Sequence, residues 1–108
     1  MTTDWTFTLI TANQWYNLWT LITNDPSFTD SKFTSGNYVP NMVCELKYQN
    51  QTAGSNITLS DNKLESGFIL TGGSWDVSRS STNTIDLNRR NFKSDTAGTV
   101  IYVSIVSL

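Results

Sequence analysis

Histidine is absent from this chain, cysteine occurs once, proline twice, and only 15% of residues are charged. Each shortage removes a class of function. Without histidine there is no Ser–His or Cys–His nucleophile pair, no imidazole base, and none of the usual zinc or copper ligands. Hydrolysis would have to run on a carboxylate pair. The nine acids are Asp4, Asp25, Asp30, Glu45, Asp61, Glu65, Asp76, Asp86 and Asp95. Most fall in turns or on outward strand positions, where a solvated acid is the ordinary expectation. The sequence therefore reads as non-enzymatic and free of cofactors.

Cys44 alone cannot form an intrachain disulfide or a zinc site, and in an alternating strand it reads as a small buried apolar residue. Calcium is the metal the acids fit least badly. Asp61, Asn62 and Glu65 lie close together, but without EF-hand spacing they read as a turn, and no metal site is expected. Gly72-Gly73 lacks the lysine and helix of a phosphate-cradling loop.

The formal net charge is -2, which argues against nucleic-acid binding through a basic face. Arg89, Arg90 and Lys93 form the cationic cluster and read as a solvated loop or a salt-bridge site for a partner. No apolar run approaches the roughly 20 residues of a membrane-crossing helix, so no membrane partner is expected. Residues 1–23 lack the charged start and apolar run of a signal peptide, and the expectation is a chain made in a reducing cytoplasm. Asn50-Gln51-Thr52 and Asn56-Ile57-Thr58 match the glycosylation acceptor pattern, which chance supplies readily in a chain so rich in Asn and Thr.

What fills the gap is uncharged and polar. Thr, Ser and Asn make up 40 of the 108 residues. That composition suits pleated surfaces and turns and makes poor helices. Four Trp, four Tyr and five Phe set the chain apart from disordered sequences.

Two-residue alternation recurs along the chain. Trp5, Phe7 and Leu9 alternate with threonines over residues 4–11. Trp15, Leu18, Trp19 and Ile22 fall at helical spacing, for which Thr11 and Gln14 could form a capping box, while Tyr16, Leu18, Thr20 and Ile22 fit a strand nearly as well. An extended stretch to about Asn17 and a short helical turn over 18–23 is the favoured reading. Residues 24–38 read as a long polar loop, functional or packed through Phe28 and Phe33. Over 41–49, Met42, Cys44, Leu46 and Tyr48 face one side and Val43, Glu45, Lys47 and Gln49 the other. Ile57 and Leu59 mark another strand. Phe68-Ile69-Leu70 forms a short one that ends at the hairpin signal Gly72-Gly73; Trp75 and Val77 resume the sheet, and Ile85 and Leu87 form a further strand.

The final segment, Gly98 to Leu108, is apolar on both faces: Ile101, Val103 and Ile105 point one way, Val100, Tyr102 and Val106 the other. A sandwich buries only one face of each sheet, so the second face needs cover, either from the chain's own loops or from another chain. About seven or eight short strands, with turns every eight to twelve residues or so, predict an all-β sandwich or jelly-roll-like barrel. The whole chain, 1–108, reads as a single domain in which residues 1–23 form an N-terminal arm or edge strand.

Five segments carry a resemblance. VCELKYQN (43–50), NITLSDN (56–62), SGFILTGGSWDVS (66–78), DLNRRNFKSDTAGTVIYVSIVSL (86–108) and YNLWTLI (16–22) resemble, in pattern and order, the small β-sandwich virion proteins of tailed bacteriophages. These are the capsid decoration (cement, head-stabilisation) and head-fibre proteins. The likeness spans about two-thirds of the chain, and Ser60 departs from it where many such proteins carry glycine.

The resemblance implies a structural virion protein on the capsid surface. It would bind the major capsid protein or other virion proteins as a homo-oligomer, with a trimer favoured. The contacts expected are Trp5, Phe28 and Phe33, and the outer face of the last strand at Val100, Tyr102 and Val106. A head-fibre or tail-associated adhesin subunit is the alternative of the same class. A carbohydrate-binding module is the rival, because Trp5, Trp15, Trp19 or Trp75 could form a platform for sugar rings; core or interface roles for these residues are favoured over it.

Overall fold

A computed structural model describes residues 2–26, 41–60, 68–79 and 84–107. The strands are β1 (Thr2–Leu9), β2 (Tyr16–Asn17), β3 (Asn41–Asn50), β4 (Asn56–Ser60), β5 (Ile69–Thr71), β6 (Trp75–Arg79), β7 (Thr84–Asp86), β8 (Asn91–Ser94) and β9 (Thr99–Ser107). One short helix, α1 (Leu18–Thr23), and a 3-10 turn at Leu87–Arg89 interrupt them. The first sheet has the order β1-β9-β3-β6, with β7 also on β3; the second runs β2-β8-β4-β5. Every pairing is antiparallel. This is the all-β sandwich that the alternation predicts.

Strand alternation builds the core. Trp5, Phe7 and Leu9 from β1, Leu46 and Tyr48 from β3, and Ile101, Val103 and Ile105 from β9 face inward from the first sheet. Ile57, Leu59, Leu70 and Phe92 meet them from the second. Tyr48 and Phe92 join the layers edge to face, with ring centroids 5.3 Å apart. The side chains of α1 at Leu18 and Ile22, one turn apart, close one part of this core.

The short helix over 18–23 follows an extended stretch, as expected, and its cap is Asn17: its Oδ1 accepts from the Thr20 N–H at 3.0 Å. Its Nδ2 donates to the Asn88 carbonyl at 2.7 Å, which ties the helix to the turn before β8. Leu87 starts a 3-10 turn and does not continue the strand with Ile85, because the Asp86 carboxylate accepts from the Asn88 N–H at 3.0 Å and bends the chain.

Gly72-Gly73 does not close a hairpin. β5 belongs to the second sheet and β6 to the first, so the turn is a crossover between layers. The reason lies beside it. The segment 51–55 crosses the other way, from β3 to β4, and the two crossings bond to each other: Gly72 N–H to the Ser55 carbonyl at 2.9 Å, and Gly73 N–H to the Asn50 carbonyl. A Cβ at Gly72 would stand 2.1 Å from the Thr52 carbonyl oxygen, so only glycine fits this approach. The Asn50 side chain, fully buried, bonds to the 51–55 crossing at Thr52 and Ser55 and to the Leu70 carbonyl of β5.

Candidate functional site

The outward sides of the two sheets hold the side chains available for function. On the first sheet, strand register aligns Trp75 (β6), Gln49 (β3), Tyr102 (β9) and Thr6 (β1) in one row. Trp75 is 55% exposed, and its ring meets Tyr102 edge to face with centroids 5.5 Å apart. Strands lie about 4.8 Å apart, and these two residues are two strands apart, so the rings lean toward each other over Gln49. The next row holds Lys47, Ser104 and Asp4. Burial raises the Tyr102 phenol above its ordinary value, and a hydrogen bond to Asp4 and that carboxylate's charge add to the effect. Lys47 Nζ lies 3.7 Å from Glu45 Oε1 on the same strand, so positive and negative charge are paired on this side.

The second sheet has its own row. Lys93 (β8), Thr58 (β4) and Ile69 (β5) are aligned on the outward side. Lys93 Nζ stands 4.7 Å from the centroid of the Trp15 ring. Ile69 is 65% exposed, and its neighbour Phe68 is 47% exposed. β5 is the edge strand of this sheet, so the apolar pair sits on a margin. Beyond it, Asn56 donates its N–H and its side-chain amide to Asp95 at 2.9 and 3.1 Å. These bonds hold the Asp95 carboxylate below its ordinary range, the Asn56 backbone N–H acting most strongly and the Thr96 hydroxyl next.

The expected contact residues are not all on one surface. Trp5 is a core residue, 4% exposed, because it occupies an inward position of β1; it is not available for an outside contact. Val100, Tyr102 and Val106 do share the outward side of β9, but each is half-buried. β9 runs between β1 and β3, and Trp75 leans onto Tyr102, so side chains of the same chain border this face. Phe28 and Phe33, and the turn of Asp61, Asn62 and Glu65, lie outside the described residues.

The cationic cluster is divided. Arg89 is exposed in the 3-10 turn, while Lys93 is drawn into β8 and across Trp15. Of the two glycosylation patterns, Asn50 is buried and internally bonded, which removes it as an acceptor, and Asn56 is exposed. Among the described residues, no three His, Cys, Asp or Glu side chains gather as a metal site would need. No helix among them is long and apolar enough to cross a membrane.

The sequence reading missed the Phe68–Ile69 margin, although its signal was present. Three consecutive apolar residues in one strand must send at least one side chain outward, since alternate side chains face opposite sides. The role of Asn50 left no such signal, because it depends on which crossings lie side by side. No family description, no curated protein and no solved structure matches the chain.

Proposed function

We propose that this protein is a non-enzymatic structural component of a phage particle that decorates and stabilises the capsid by docking on assembled shell protein. The observation that carries the reading is the outward row of the second sheet. It runs from Lys93, which lies across Trp15, through Thr58 to exposed Ile69, and exposed Phe68 adjoins Ile69 at the start of the edge strand. An apolar pair on a sheet margin with polar neighbours has the make-up of a small docking patch. One such patch binds weakly. Several, presented by a homotrimer to a repeating shell, bind tightly through multivalency. The ordered likeness of five segments to phage decoration proteins supports the same reading.

The test is add-back to particles. Purified virions stripped of the chain are mixed with wild-type protein or with the double variant Phe68→Ser/Ile69→Asp, then sedimented. Wild-type protein returns in fixed ratio to the shell protein, while the variant stays in the supernatant with an unchanged melting curve. A wild-type chain that never enters particles refutes the decoration reading. A variant that returns as well as wild type refutes the assigned patch. The rival reading, a carbohydrate-binding module, would place the working surface on the first sheet, where Trp75 is exposed.

A further inference from the structure

We propose that the outward side of the first sheet carries a binding site for an uncharged oligosaccharide, centred on Trp75. This goes beyond the docking reading and does not depend on it, since it concerns the opposite side of the sandwich. The starting point is an indole ring more than half exposed yet fixed in place by its edge-to-face contact with Tyr102. A fixed ring loses little conformational freedom when a ligand settles on it. Hydrogen-bonding groups lie on the strand beside it. Gln49 is its partner in the same row, with one donor group and one acceptor group, and Lys47 donates from the next row of that strand.

The other occupants fit less well. A second protein copy needs about 800 Å² of buried surface on each partner. A half-exposed Trp supplies on the order of 100 Å² of that, and Val100, Tyr102 and Val106 are already half-buried. A nucleic acid would meet Asp4 and Glu45 on the same side of the sheet and a chain of net charge -2. The Lys47–Glu45 pair leaves little net field to select an anionic or cationic ligand.

A pyranose ring with equatorial hydroxyls matches what is offered. One flat C–H face can stack on the indole, while hydroxyls at its rim both donate and accept. β-1,4-linked glucose and N-acetylglucosamine present that geometry on successive rings.

The experiment is a titration of the full chain with cellohexaose and, separately, chitohexaose, followed by tryptophan fluorescence and calorimetry. Trp75→Ala, Trp75→Phe, Gln49→Ala and Trp15→Ala are run beside wild type. Wild-type protein binds at least one of the two sugars. Trp75→Ala weakens binding about tenfold, the size of one good aromatic contact. Trp75→Phe recovers part of the loss, Gln49→Ala weakens binding less than Trp75→Ala, and Trp15→Ala leaves it unchanged. Absence of binding to both sugars at millimolar concentration overturns the proposal. So does an equal loss in Trp15→Ala, or a fall in native mass by light scattering in Trp75→Ala, which would make the patch a contact between copies.

Discussion

Replacing Asn50 with alanine should cost more than any surface change in this protein, because one buried side chain on the first sheet bonds both to the 51–55 crossing and to β5 of the second sheet. Its Nδ2 lies within hydrogen-bond distance of the Ser55 carbonyl (3.1 Å), Ser55 Oγ (3.0 Å) and the Leu70 carbonyl (3.1 Å). Its Oδ1 accepts from the Thr52 N–H at 3.1 Å and from Ser55 Oγ at 3.2 Å. Alanine strips the Thr52 N–H of this acceptor and the Leu70 carbonyl of this donor. The Ser55 carbonyl keeps the Gly72 N–H.

The Leu70 carbonyl keeps its place in the β4–β5 ladder, so the cost is one stranded Thr52 N–H, about 1–3 kcal/mol less what water returns to that half-buried residue, plus the volume left empty in a buried site, about 3 kcal/mol in all. Domains of this size have about 5–15 kcal/mol in all. With a urea slope of about 1–3 kcal/mol per molar, the midpoint should fall by roughly 1–3 M at unchanged slope. Asn50→Asp is the sharper comparison. It keeps the shape and the acceptor but sets a carboxylate oxygen against two carbonyls, so at neutral pH its loss should be at least as large. Urea denaturation followed by circular dichroism measures both. Losses below about 1 kcal/mol in both variants would show that the crossings do not depend on this side chain.

Two further outcomes follow from neighbouring geometry. Gly72→Ala drives a Cβ into the backbone at Thr52 and Ala53, at 2.1 and 2.9 Å, so the crossings must move; the expected cost is at the upper end of about 1–3 kcal/mol. Gly54→Ala meets open space and pays only for its φ of +83°, about 1–2 kcal/mol, and thermal melts that reverse this order would contradict the close approach. For Asp95, the folded carboxyl titrates below its ordinary 3.8, so its contribution is present above that value and is lost as pH falls through the lower folded value. Urea midpoints measured across that acid range should fall less steeply in Asp95→Asn than in wild type; parallel curves would show that the Asn56 contact contributes nothing to folding.

Alternation made the sandwich legible. The inward sets Trp5, Phe7, Leu9 and Ile101, Val103, Ile105 stand where a two-residue period places them, and α1 begins at the expected Leu18. The reading gave way where partners are distant in sequence. β8 was hidden because Asn91–Ser94 holds one large apolar residue among polar and charged ones, and its strand character comes from pairing with β4 and β2. Gly72-Gly73 carries a hairpin signature, yet its partners are Ser55 and Asn50. Trp5 and Trp75 are the same residue type with opposite fates, settled by strand facing in β1 and by lateral position in the first sheet. Composition cannot distinguish such positions.

The placement of β9 has a consequence for how the chain is born. The first sheet has this strand at its interior, where it pairs with β1 on one side and β3 on the other. On the ribosome, β1 and β3 emerge early and must wait for a shared neighbour that is synthesised after every other described strand. Until then, their inward rows of Trp5, Phe7, Leu46 and Tyr48 lack the strand that separates them. Pairings between such distant segments form slowly, on the millisecond-to-second scale typical of β-sandwiches. A nascent chain halted before Thr99 should therefore be a substrate for holding chaperones, with no stable first sheet of its own.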